Sequence, residues 1–573
     1  MRAISLYHQA GRFLILLPFQ SRFGLVLPLV IGLGFSTLSA QQLFEQTAPF
    51  KYRIEFKNKN DNPYSTDNPE EFLSQKAIER RNKQNIPVLL NDLPVTPSYI
   101  DSLRAAGAEI LTVSRWFNAA SVLIEHDSTL GRISKLTFVK GSNQNKSSPL
   151  SLKKTSVPSG MQKLNESPVA DYGLSWWQTA VHNGHLLHNR GYRGEGIAIA
   201  VLDAGFLGVD QLPAFSKLWD NDQILGTRDF VNPGAVVYGF HTHGMHVLSI
   251  IGGTLAGELI GTAPEADFWL LRSEDTNSEY LIEEDNWIAA AEFADSAGAD
   301  IINSSLGYTI FDDPLQDHTY DDMDGNTTRI SRAADIAASK GMLVVVSAGN
   351  EGDSQWKYVG APADADSVLA VGAIDGNLHI AYFSSRGPSS DGDIKPDLMA
   401  IGLGTYMAGF DVSIRQGNGT SLSAPVITGL SACLWQANPH ASAVEMLAAI
   451  RESSDRYALP DDDYGYGIPD FNLACVLLKA NEDNSGFVEK VSAFPNPFHD
   501  QLYLIYNPAV DGPVDIRMYD LTGKEIAQYF FPAFPGRKYL KIDGEQLAGL
   551  PKGFYLLKCN ASPVNSIVKL IKF

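Results

Sequence analysis

Four residues of the 573-residue chain have the side chains that acyl transfer uses, in the order Asp203, His243, Asn350, Ser421. A serine hydroxyl can attack a carbonyl when a histidine accepts its proton, and a carboxylate can hold that histidine in the required tautomer. A side-chain amide can donate a hydrogen bond to the oxyanion that forms. Taken singly, each residue has a simpler explanation as a helix cap, a structural hydrogen bond or a turn. The prediction therefore rests on the four residues together.

Ser421 lies in a glycine-rich turn, residues 416–425, whose sequence is QGNGTSLSAP, and an apolar run at helical spacing follows at 426–435. We expect a loop-to-helix junction here, with Pro425 in the first helical turn, where a missing N–H costs little. The free N–H groups at a helix N-terminus favour negative charge, and the tetrahedral intermediate of acyl transfer carries such a charge. This setting suits a nucleophile as well as a simple helix cap.

His243 and His246 lie three residues apart in the segment HTHGMHVL, residues 241–248. Two histidines at this spacing on a helix could bind a metal, but zinc would need further ligands and the sequence has no HExxH motif. A histidine with its ordinary pKa of about 6.5 suits proton transfer near neutral pH. One of the two as a general base is therefore the favoured interpretation.

The central region, residues 171–480, alternates short apolar runs with helical stretches. The predicted strands and helices are strands 196–202, 268–271, 300–303, 342–346 and 368–371 and helices 283–297 and 330–340. Runs of this kind predict an α/β fold with a mostly parallel sheet and helices on both faces. Such sheets bind ligands at the carboxyl ends of their strands, where Asp203 and Asn350 are expected.

A small α/β unit precedes the central region. Its predicted elements are strands 52–56, 111–115 and 119–125 and helices 68–81, 98–106 and 128–135. Residues 141–166 are rich in Ser, Lys, Pro and Asn, which predicts a linker open to proteolysis. A small domain on a cleavable linker indicates a propeptide, removed by a cut within 141–166, and a permanent accessory domain is the alternative.

The last region follows a polar linker at 481–486 and consists of short alternating strands. These are predicted at 501–506, 514–519, 538–542, 553–558 and 566–571. Turn sequences at 520–523 and 551–553 separate some of the strands. The pattern predicts a small all-β sandwich.

Composition and the N-terminal residues limit the location and partners of the protein. Hydrophobic residues make up 44% and charged residues 19%, which is typical of globular domains. The net charge of −20 argues against nucleic acid or anionic membranes as partners. Residues 1–40 combine basic residues, an uncharged apolar run and a small-residue end, which predicts a signal peptide. A membrane anchor is the alternative, although the run is shorter than the ~20 residues that a span needs.

The cysteine content excludes a disulfide framework. The chain has three cysteines, Cys433, Cys475 and Cys559, and no CxxC motif. We expect Cys433 and Cys475 to be buried thiols, with a bridge between them as the alternative.

Four motifs resemble those of the subtilisin-like serine peptidases, the subtilases. They are VLDAGF, HGMHV, SAGNEG and GTSLSAPV, which contain Asp203, His243, Asn350 and Ser421. Further matches lie at 261–266, 304–307, 383–388 and 395–400. Met245 replaces a Thr of the family motif, and Leu422 stands where Met is commoner. Because the first histidine of the family motif is the catalytic one, the resemblance selects His243 over His246.

The resemblance implies a role for each of the four residues. Ser421 would attack the peptide carbonyl, His243 would take the proton and later give it to the leaving amine, and Asp203 would orient the histidine. The Asn350 side chain and the Ser421 N–H would bind the oxyanion. The implied activity is that of a serine endopeptidase with an acyl-enzyme intermediate.

The resemblance also implies a substrate-binding segment and no cofactor for the chemistry. Ser305, Leu306 and Gly307 would pair with the substrate backbone and line the primary specificity pocket. Tyr308 stands where the family often has Gly, which affects the shape of that pocket. Subtilases often bind structural calcium through oxygen ligands. The candidate calcium segments, which could equally be solvated acidic loops, are 321–326 and 461–463.

The flanking regions resemble two kinds of domain that accompany such peptidases. Residues 50–140 resemble subtilase propeptides, which act as folding chaperones and transient inhibitors. The last region contains FPNPF, ends in KLIKF and resembles type IX secretion sorting domains, with an accessory binding module as the alternative. The predicted domains are a signal peptide 1–40, a propeptide 41–165, a catalytic domain 166–480 and a sorting domain 487–573.

The resemblance sets the expected partners and location. The partners are protein or peptide substrates, the protein's own propeptide and the secretion machinery. We expect a monomer that is secreted or held at the cell surface after export through the periplasm and outer membrane.

Three other classes fit the sequence less well. A non-catalytic binding scaffold would usually lack one of the four residues. An α/β-hydrolase needs GxSxG, but Ser423 stands where the second glycine belongs. A serine-carboxyl peptidase would use Glu as the base and Asp at the oxyanion position, where this chain has His243 and Asn350.

Overall fold

The computed structural model describes residues 50–146 and 172–482 without a gap, and most of the region from 492 to 572. In that last region the described residues are 492–494, 496, 498, 502–505, 513–531, 539–542, 547, 549–561 and 564–572. The predicted signal peptide and residues 147–166 of the predicted linker lie outside the described residues. Among the helices of the described ranges, none has the length and apolar content needed to span a bilayer.

A four-stranded antiparallel sheet with three α-helices forms the N-terminal region. Its elements are β1 (Phe50–Phe56), α1 (Gln75–Lys83), α2 (Pro97–Ala105), β2 (Glu109–Ser114), β3 (Ala119–Ile124), α3 (Asp127–Ile133) and β4 (Val139–Lys146). The strand order is β2-β3-β1-β4. Ile54 of β1, Val122 of β3 and Leu103 of α2 belong to one buried apolar cluster. This region therefore has a core of its own, as expected for the small α/β unit.

The helix predicted over 68–81 is wrong, because the structure divides it. Pro69–Glu71 forms a short 3-10 turn, and Phe72 then takes a non-helical φ of −143°. A new helix, α1, begins after Ser74, whose side chain accepts a hydrogen bond from the Ala77 N–H at 3.2 Å. Ser74 is a better N-cap than the upstream Asn, which makes no capping hydrogen bond.

The linker predicted from residue 141 is also wrong at its start. Residues 141–146 continue β4 and pair with β1, up to the register Lys51↔Lys146. Strand pairing uses main-chain groups, so the polar side chains of this segment do not prevent it at a sheet edge.

A seven-stranded sheet with helices on both sides forms the central region. In chain order its elements are α4 (Trp176–Ala180), α5 (Gly184–His188), β5 (Ala198–Asp203), α6 (Ser216–Asp220), β6 (Ile224–Asp229), α7 (His243–Gly252), β7 (Thr254–Leu255), β8 (Leu259–Ile260), β9 (Asp267–Arg272), α8 (Ile282–Ala297), β10 (Ile301–Ser304), α9 (Arg329–Ser339), β11 (Leu343–Ser347), β12 (Leu369–Ile374), β13 (Leu398–Ile401), β14 (Leu403–Ala408), β15 (Ile414–Asn418), α10 (Thr420–Ala437), α11 (Ala443–Glu452) and α12 (Phe471–Glu482). The sheet order is β13-β12-β11-β10-β5-β9-β6, and every pair in it is parallel. The predicted α/β class is confirmed.

Strand β5 shows why this sheet is apolar. All its residues are buried, and successive side chains point to opposite faces. Ile199 and Val201 join the apolar cluster that includes α7 and α10, whereas Ala200 and Leu202 join the cluster that includes α8 and α9. Burial of one large aliphatic side chain contributes about 1.5–3 kcal/mol, so a strand covered on both faces is apolar throughout.

The sequence prediction missed the two strands at the ends of the sheet order. Strand β6 is partly exposed and mixes polar with apolar residues, so it lacks the apolar run that marks the inner strands. Strand β13 is buried and short, and it directly follows Lys395, Pro396 and Asp397, which indicate a turn and not the start of an apolar run.

Helix α10 begins earlier than the sequence predicts. It starts at Thr420 after the N-cap Gly419, so Pro425 lies in the second turn and not in the first. Proline has a φ compatible with a helix, and its missing N–H affects only the carbonyl four residues earlier, that of Ser421. The helix tolerates Pro425 because the Ser305 hydroxyl donates to that carbonyl.

The three cysteines are buried thiols. The Cys433 thiol donates to the Thr262 carbonyl at 3.2 Å, and Cys475 Sγ accepts from Asn438 Nδ2 at 3.6 Å. The alternative of a Cys433–Cys475 bridge is therefore not realised. Burial raises the pKa of the Cys433 thiol, which keeps it protonated.

Two antiparallel sheets form the C-terminal region. Its strands are β16 (Ser492–Phe494), β17 (Leu502–Ile505), β18 (Val514–Asp520), β19 (Glu525–Phe531), β20 (Tyr539–Ile542), β21 (Gly553–Ala561) and β22 (Val564–Lys572). The sheets have the orders β16-β17-β20 and β19-β18-β21-β22, and one buried apolar cluster draws on both. The Tyr503 hydroxyl in β17 donates to Asp470 Oδ2 at 2.7 Å and so links this region to the central one.

Candidate active site

Asp203 and His243 are in direct contact at the carboxyl edge of the sheet. Asp203 ends β5 and is fully buried, and His243 is the first residue of α7. His243 Nδ1 lies 2.8 Å from Asp203 Oδ1 and 3.0 Å from Oδ2. The next residue must be glycine, because a Cβ on Gly244 would lie 2.5 Å from the Gly205 carbonyl oxygen.

The Asp203 carboxylate changes the basicity of His243. Burial opposes the charged form of the imidazole, but the Asp203 charge and hydrogen bond outweigh it and raise the pKa of His243 to about 9. Glu274 makes a smaller contribution in the same direction. The arrangement therefore stabilises an imidazolium, which a general base becomes when it accepts a proton.

His246 has a different environment. Burial and then the charge of His243 lower its pKa to about 4, so it is neutral at ordinary pH. Within the described ranges, neither histidine belongs to a group of three side chains close enough to hold a metal ion. The metal alternative for this pair of histidines thus finds no third ligand in the described part of the chain.

Ser421 lies in the first turn of α10 and is partly exposed. Gly419 before it has a φ of +148°, and a Cβ there would lie 3.0 Å from Ser421 Oγ. The Ser421 carbonyl accepts a hydrogen bond from Ser305 Oγ at 2.9 Å. This bond supplies the donor that Pro425 cannot, and it fixes the main chain at Ser421.

Asn350 is exposed three residues beyond β11, with its amide held in one orientation. Its Oδ1 accepts from the Thr420 N–H at 2.8 Å and from Thr420 Oγ1 at 3.1 Å. Thr420 Oγ1 in turn accepts from the Gly349 N–H at 3.1 Å. The amide nitrogen Nδ2 is therefore left to donate to a ligand next to Ser421.

The fold brings these four residues to one edge of the sheet. Helices α7 and α10 pack against each other, and His243 and Ser421 lie in their first turns. Among the described contacts, no hydrogen bond joins Ser421 Oγ to the His243 ring. Such bonds are often long in the absence of substrate and shorten when the reactive complex forms.

The predicted substrate-binding segment follows β10. Ser305 and Leu306 are each 5% exposed, whereas Gly307 is exposed, and a Cβ on it would lie 3.9 Å from the Ala361 carbonyl oxygen. Tyr308 N donates to the Ala361 carbonyl at 2.8 Å, and the Tyr308 side chain turns into the protein. Gly307 is therefore the most accessible of the three residues. The Ser305 hydroxyl is already occupied by its hydrogen bond to the Ser421 carbonyl.

Sequence reasoning missed two residues of the site, Thr420 and Glu274. Thr420 positions the Asn350 amide. The only signal for this role in the sequence is that Thr420 directly precedes Ser421. Glu274 follows β9, the strand that pairs with β5, and Ser273 N donates to the Asp203 carbonyl at 3.0 Å. Burial and then the Asp203 charge raise the pKa of Glu274 to about 7. A carboxylate just after a strand was visible in the sequence, but the strand order was not.

The two candidate calcium segments use their carboxylates in local hydrogen bonds. Asp324 Oδ1 accepts from the N–H groups of Asn326 at 2.9 Å and Thr327 at 2.6 Å. Asp461 Oδ1 accepts from the N–H groups of Asp463 and Tyr464. Within the described ranges, two sets of three acidic side chains are close enough together to hold a metal ion, and both lie outside these segments. They are Glu274, Glu279 and Glu283, and Asp366, Asp391 and Asp393. Calcium binding by either segment stays a prediction.

Three family models match the chain. They are Subtilase family at residues 194–467, Peptidase S8 propeptide domain, Bacteroidota, at 51–160, and Secretion system C-terminal sorting domain at 492–572. The matches follow the order of the predicted domains, whose boundaries stay predictions. A sorting domain of this kind indicates export, with release or attachment at the cell surface.

Curated relatives match the central region. Serine protease AprX of Bacillus subtilis (strain 168) is 30% identical over 319 residues, which cover 50% of this chain and 66% of the relative. Subtilisin BL of Lederbergia lenta is 30% identical over 267 residues, which cover 45% of this chain and 83% of the relative. Subtilisin DY of Bacillus licheniformis is 27% identical over 287 residues, which cover 48% and 89%.

Proposed function

Since the chain belongs to the subtilase family of serine-type endopeptidases, we propose that it is a secreted peptidase whose catalytic residues are Ser421, His243 and Asp203. The observation that carries this proposal is the pair of hydrogen bonds from His243 Nδ1 to Asp203, beside the helix that has Ser421 in its first turn. These bonds leave Nε2 as the nitrogen that can accept the serine proton.

The proposed reaction has two halves. Ser421 Oγ attacks the substrate carbonyl while His243 takes its proton, and the oxyanion is bound by Asn350 Nδ2 and the Ser421 N–H. His243 then gives the proton to the leaving amine, and an acyl-enzyme remains. Water, activated by the same histidine, releases the second product and restores the serine.

The N-terminal region is proposed to act as the enzyme's own transient inhibitor. Three of its arginines converge on Asp295 of α8, which is fully buried. Arg80 Nη2 lies 2.5 Å and Arg81 Nη1 2.9 Å from Asp295 Oδ1, and Arg115 pairs with the other oxygen. Buried pairs of this kind hold only while water is excluded and every charge has its partner.

Two more acidic residues of α8 extend this interface. Glu292 accepts from Ser114 Oγ at 2.6 Å and from the main-chain N–H groups of Arg115 and Trp116. Asp285 pairs with Arg53 and accepts from Ser121 Oγ at 2.6 Å. One helix of the central region therefore holds β1, β2 and β3 of the N-terminal sheet, which supports a bound propeptide.

The test of the proposed function is hydrolysis of casein by the processed protein. The wild type should hydrolyse casein and be blocked by a covalent serine-protease inhibitor, and Ser421→Ala should be inactive. Ser431→Ala is the matched control, because Ser431 is a buried serine of the same helix whose hydroxyl donates to the Ile427 carbonyl.

Two results would contradict the proposal. Activity in Ser421→Ala would place the nucleophile elsewhere, and a processed wild type without activity would favour a binding scaffold. Light scattering on the same samples checks the expected monomer.

A further inference from the structure

Three glutamates form a compact group beside the candidate active site. Glu274 follows β9, Glu279 lies in the next loop and Glu283 is in the first turn of α8. One carboxylate oxygen from each lies within 4.8 Å of the other two. Glu274 and Glu279 are partly exposed, whereas Glu283 is buried, so the group is open on one side.

The negative charge of the group is only partly compensated, by the charges of His243 and Arg272 that act on Glu274. In the described part of the chain, no Lys or Arg forms an ion pair with any of the three glutamates, and Glu283 accepts only from the N–H groups of Asp275 and Tyr280. Burial, followed by repulsion from Asp203, raises the pKa of Glu274 to about 7. Burial, followed by repulsion from Glu274, raises that of Glu279 to about 8. A cation bound among the three carboxylates would remove this repulsion.

Tyr308 is an independent sign that a ligand binds here. Its side chain is 1% exposed, and its hydroxyl has no hydrogen-bond partner among the described residues. The chain after Tyr308 contacts the glutamate loop, because Asp312 N donates to the Glu279 carbonyl at 2.9 Å. Burial and then the charges of Glu274, Glu283 and Glu279 raise the pKa of Tyr308. A buried hydroxyl without a partner is costly unless a ligand bonds it.

The oxygen atoms of the three carboxylates and of the Tyr308 hydroxyl favour an organic cation over a metal ion. A guanidinium or ammonium group carries several N–H donors, which three carboxylates and a phenol oxygen can accept together. Calcium prefers six to eight oxygens from carboxylates, carbonyls and waters, and a phenol is not among its usual ligands.

The location identifies the source of the cation. Tyr308 directly follows Gly307, the exposed end of the segment expected to pair with the substrate. On the other side, the main chain before Glu274 bonds Asp203, and Glu274 raises the pKa of His243. Glu274 therefore lies beside the catalytic pair, and Glu279 contacts the chain just beyond Tyr308 through the Asp312 N–H, which puts the group within reach of a substrate side chain.

We propose that Glu274, Glu279, Glu283 and Tyr308 form a subsite for a Lys or Arg side chain of the substrate, on the amino-terminal side of the scissile bond. The inference rests on the proposed function, because it needs a substrate bound along Ser305–Gly307 for cleavage at Ser421. The enzyme then selects polypeptides with a basic residue near the cleavage point.

The experiment compares fluorogenic peptides that differ in one residue. The processed enzyme is given peptides with Arg or norleucine at each of the four positions before the scissile bond, with EDTA present. At one position, kcat/KM should be higher for Arg by about tenfold or more. The double variant Glu274→Gln, Glu279→Gln should bring that ratio close to one.

The control variant is Asp366→Asn. Asp366 belongs to the other acidic group of three, which is exposed, so its loss should leave the ratio unchanged. The ratio compares two substrates of one sample, so a partly unfolded variant does not distort it.

Several outcomes would overturn the inference, and they differ from failure of the proposed function. Hydrolysis of the norleucine peptides without any preference for Arg removes the subsite but leaves Ser421 chemistry intact. A preference that persists in the double variant places the subsite elsewhere. Calcium bound at one ion per chain, lost in the double variant, with no preference for Arg, shows a metal site. Hydrolysis of no peptide at all removes both proposals.

Discussion

The Ser305 hydroxyl donates to the main-chain carbonyl of Ser421 at 2.9 Å, in the place of the helical N–H that Pro425 lacks. A proline in the second turn of α10 would otherwise leave this carbonyl without a donor next to the nucleophile. The predicted substrate-binding segment and Ser421 are thereby connected by one hydrogen bond. Ser305 is thus a positioning residue in addition to its predicted contact with substrate.

Replacement of Ser305 by Ala should lower kcat by about tenfold, because a lost hydrogen bond to a buried carbonyl costs roughly 1–3 kcal/mol. The KM for a peptide should change less than kcat, since the main effect is on the position of Ser421. Steady-state kinetics on a peptide substrate separate the two constants. Ser305→Thr keeps the hydroxyl and should restore most of the rate. Equal activity of the Ala and Thr variants would show that the hydroxyl does not position Ser421.

Replacement of Asn350 by Ala should lower kcat by about 10²–10³, the effect typical of losing this oxyanion donor in subtilisins. KM should change little, because the amide donates to the oxyanion and not to the ground-state carbonyl. The melting temperature should fall only slightly, because Asn350 is exposed but Thr420 loses the acceptor of its N–H and hydroxyl. A variant that raises KM and leaves kcat unchanged would contradict the oxyanion role.

The pH dependence of kcat/KM should reflect the raised pKa of His243. A general base must be neutral, and the imidazole stays protonated up to a pKa of about 9 because Asp203 stabilises its charge. The rate should therefore rise with pH through about 9 and fall about tenfold per unit below it. An acid limb near the ordinary histidine pKa of about 6.5 would contradict the effect of Asp203. In the Asp203→Asn variant, the acid limb of the residual activity should lie at a lower pH than in the wild type.

Replacement of Asp295 by Asn should release the N-terminal region after cleavage of the linker. The change removes the shared carboxylate from three buried arginines, of which Arg81 keeps Asp92, and breaking such a pair costs about 3–5 kcal/mol. The full chain carrying Ser421→Ala can be cut with trypsin within 147–166 and passed over a sizing column. The N-terminal fragment should co-elute with the rest of the chain, but separate from it when Asp295→Asn is added.

The matched control for that experiment is Asp101→Asn. Asp101 pairs with Arg104 on the exposed face of α2, where an ion pair contributes little. The N-terminal fragment of the Asp101→Asn variant should co-elute with the rest of the chain, as it does without this change. Co-elution of the Asp295→Asn fragment would mean that the remaining contacts of α8 suffice.

The inner strands of the sheet were predictable, and so was the order of the four site residues. A strand such as β5 is covered on both faces and must be apolar, which leaves a clear run in the sequence. The edge strand β6 has no such constraint and gave no signal. The division of the helix at Phe72 depends on one capping hydrogen bond by Ser74, a local competition that periodicity does not reveal.

The contacts that complete the site were beyond sequence reasoning because they join distant segments. Ser305 and Ser421 are 116 residues apart in the chain, and nothing in either motif indicates that one bonds the other. Glu274 and Tyr308 likewise look like ordinary loop residues until β9 and β10 are placed on either side of β5.

Helix α8 contains the acidic residues that hold the N-terminal region, and Glu283 in its first turn belongs to the glutamate group. Once that region departs, Glu292 and Asp295 lose their arginines and extend the negative field of the cleft along the helix. We therefore expect the mature form to attract basic polypeptides over a distance of about one Debye length and to repel acidic ones. Its association with substrates should consequently depend on ionic strength, whereas in the full chain the arginines of the N-terminal region largely neutralise this field.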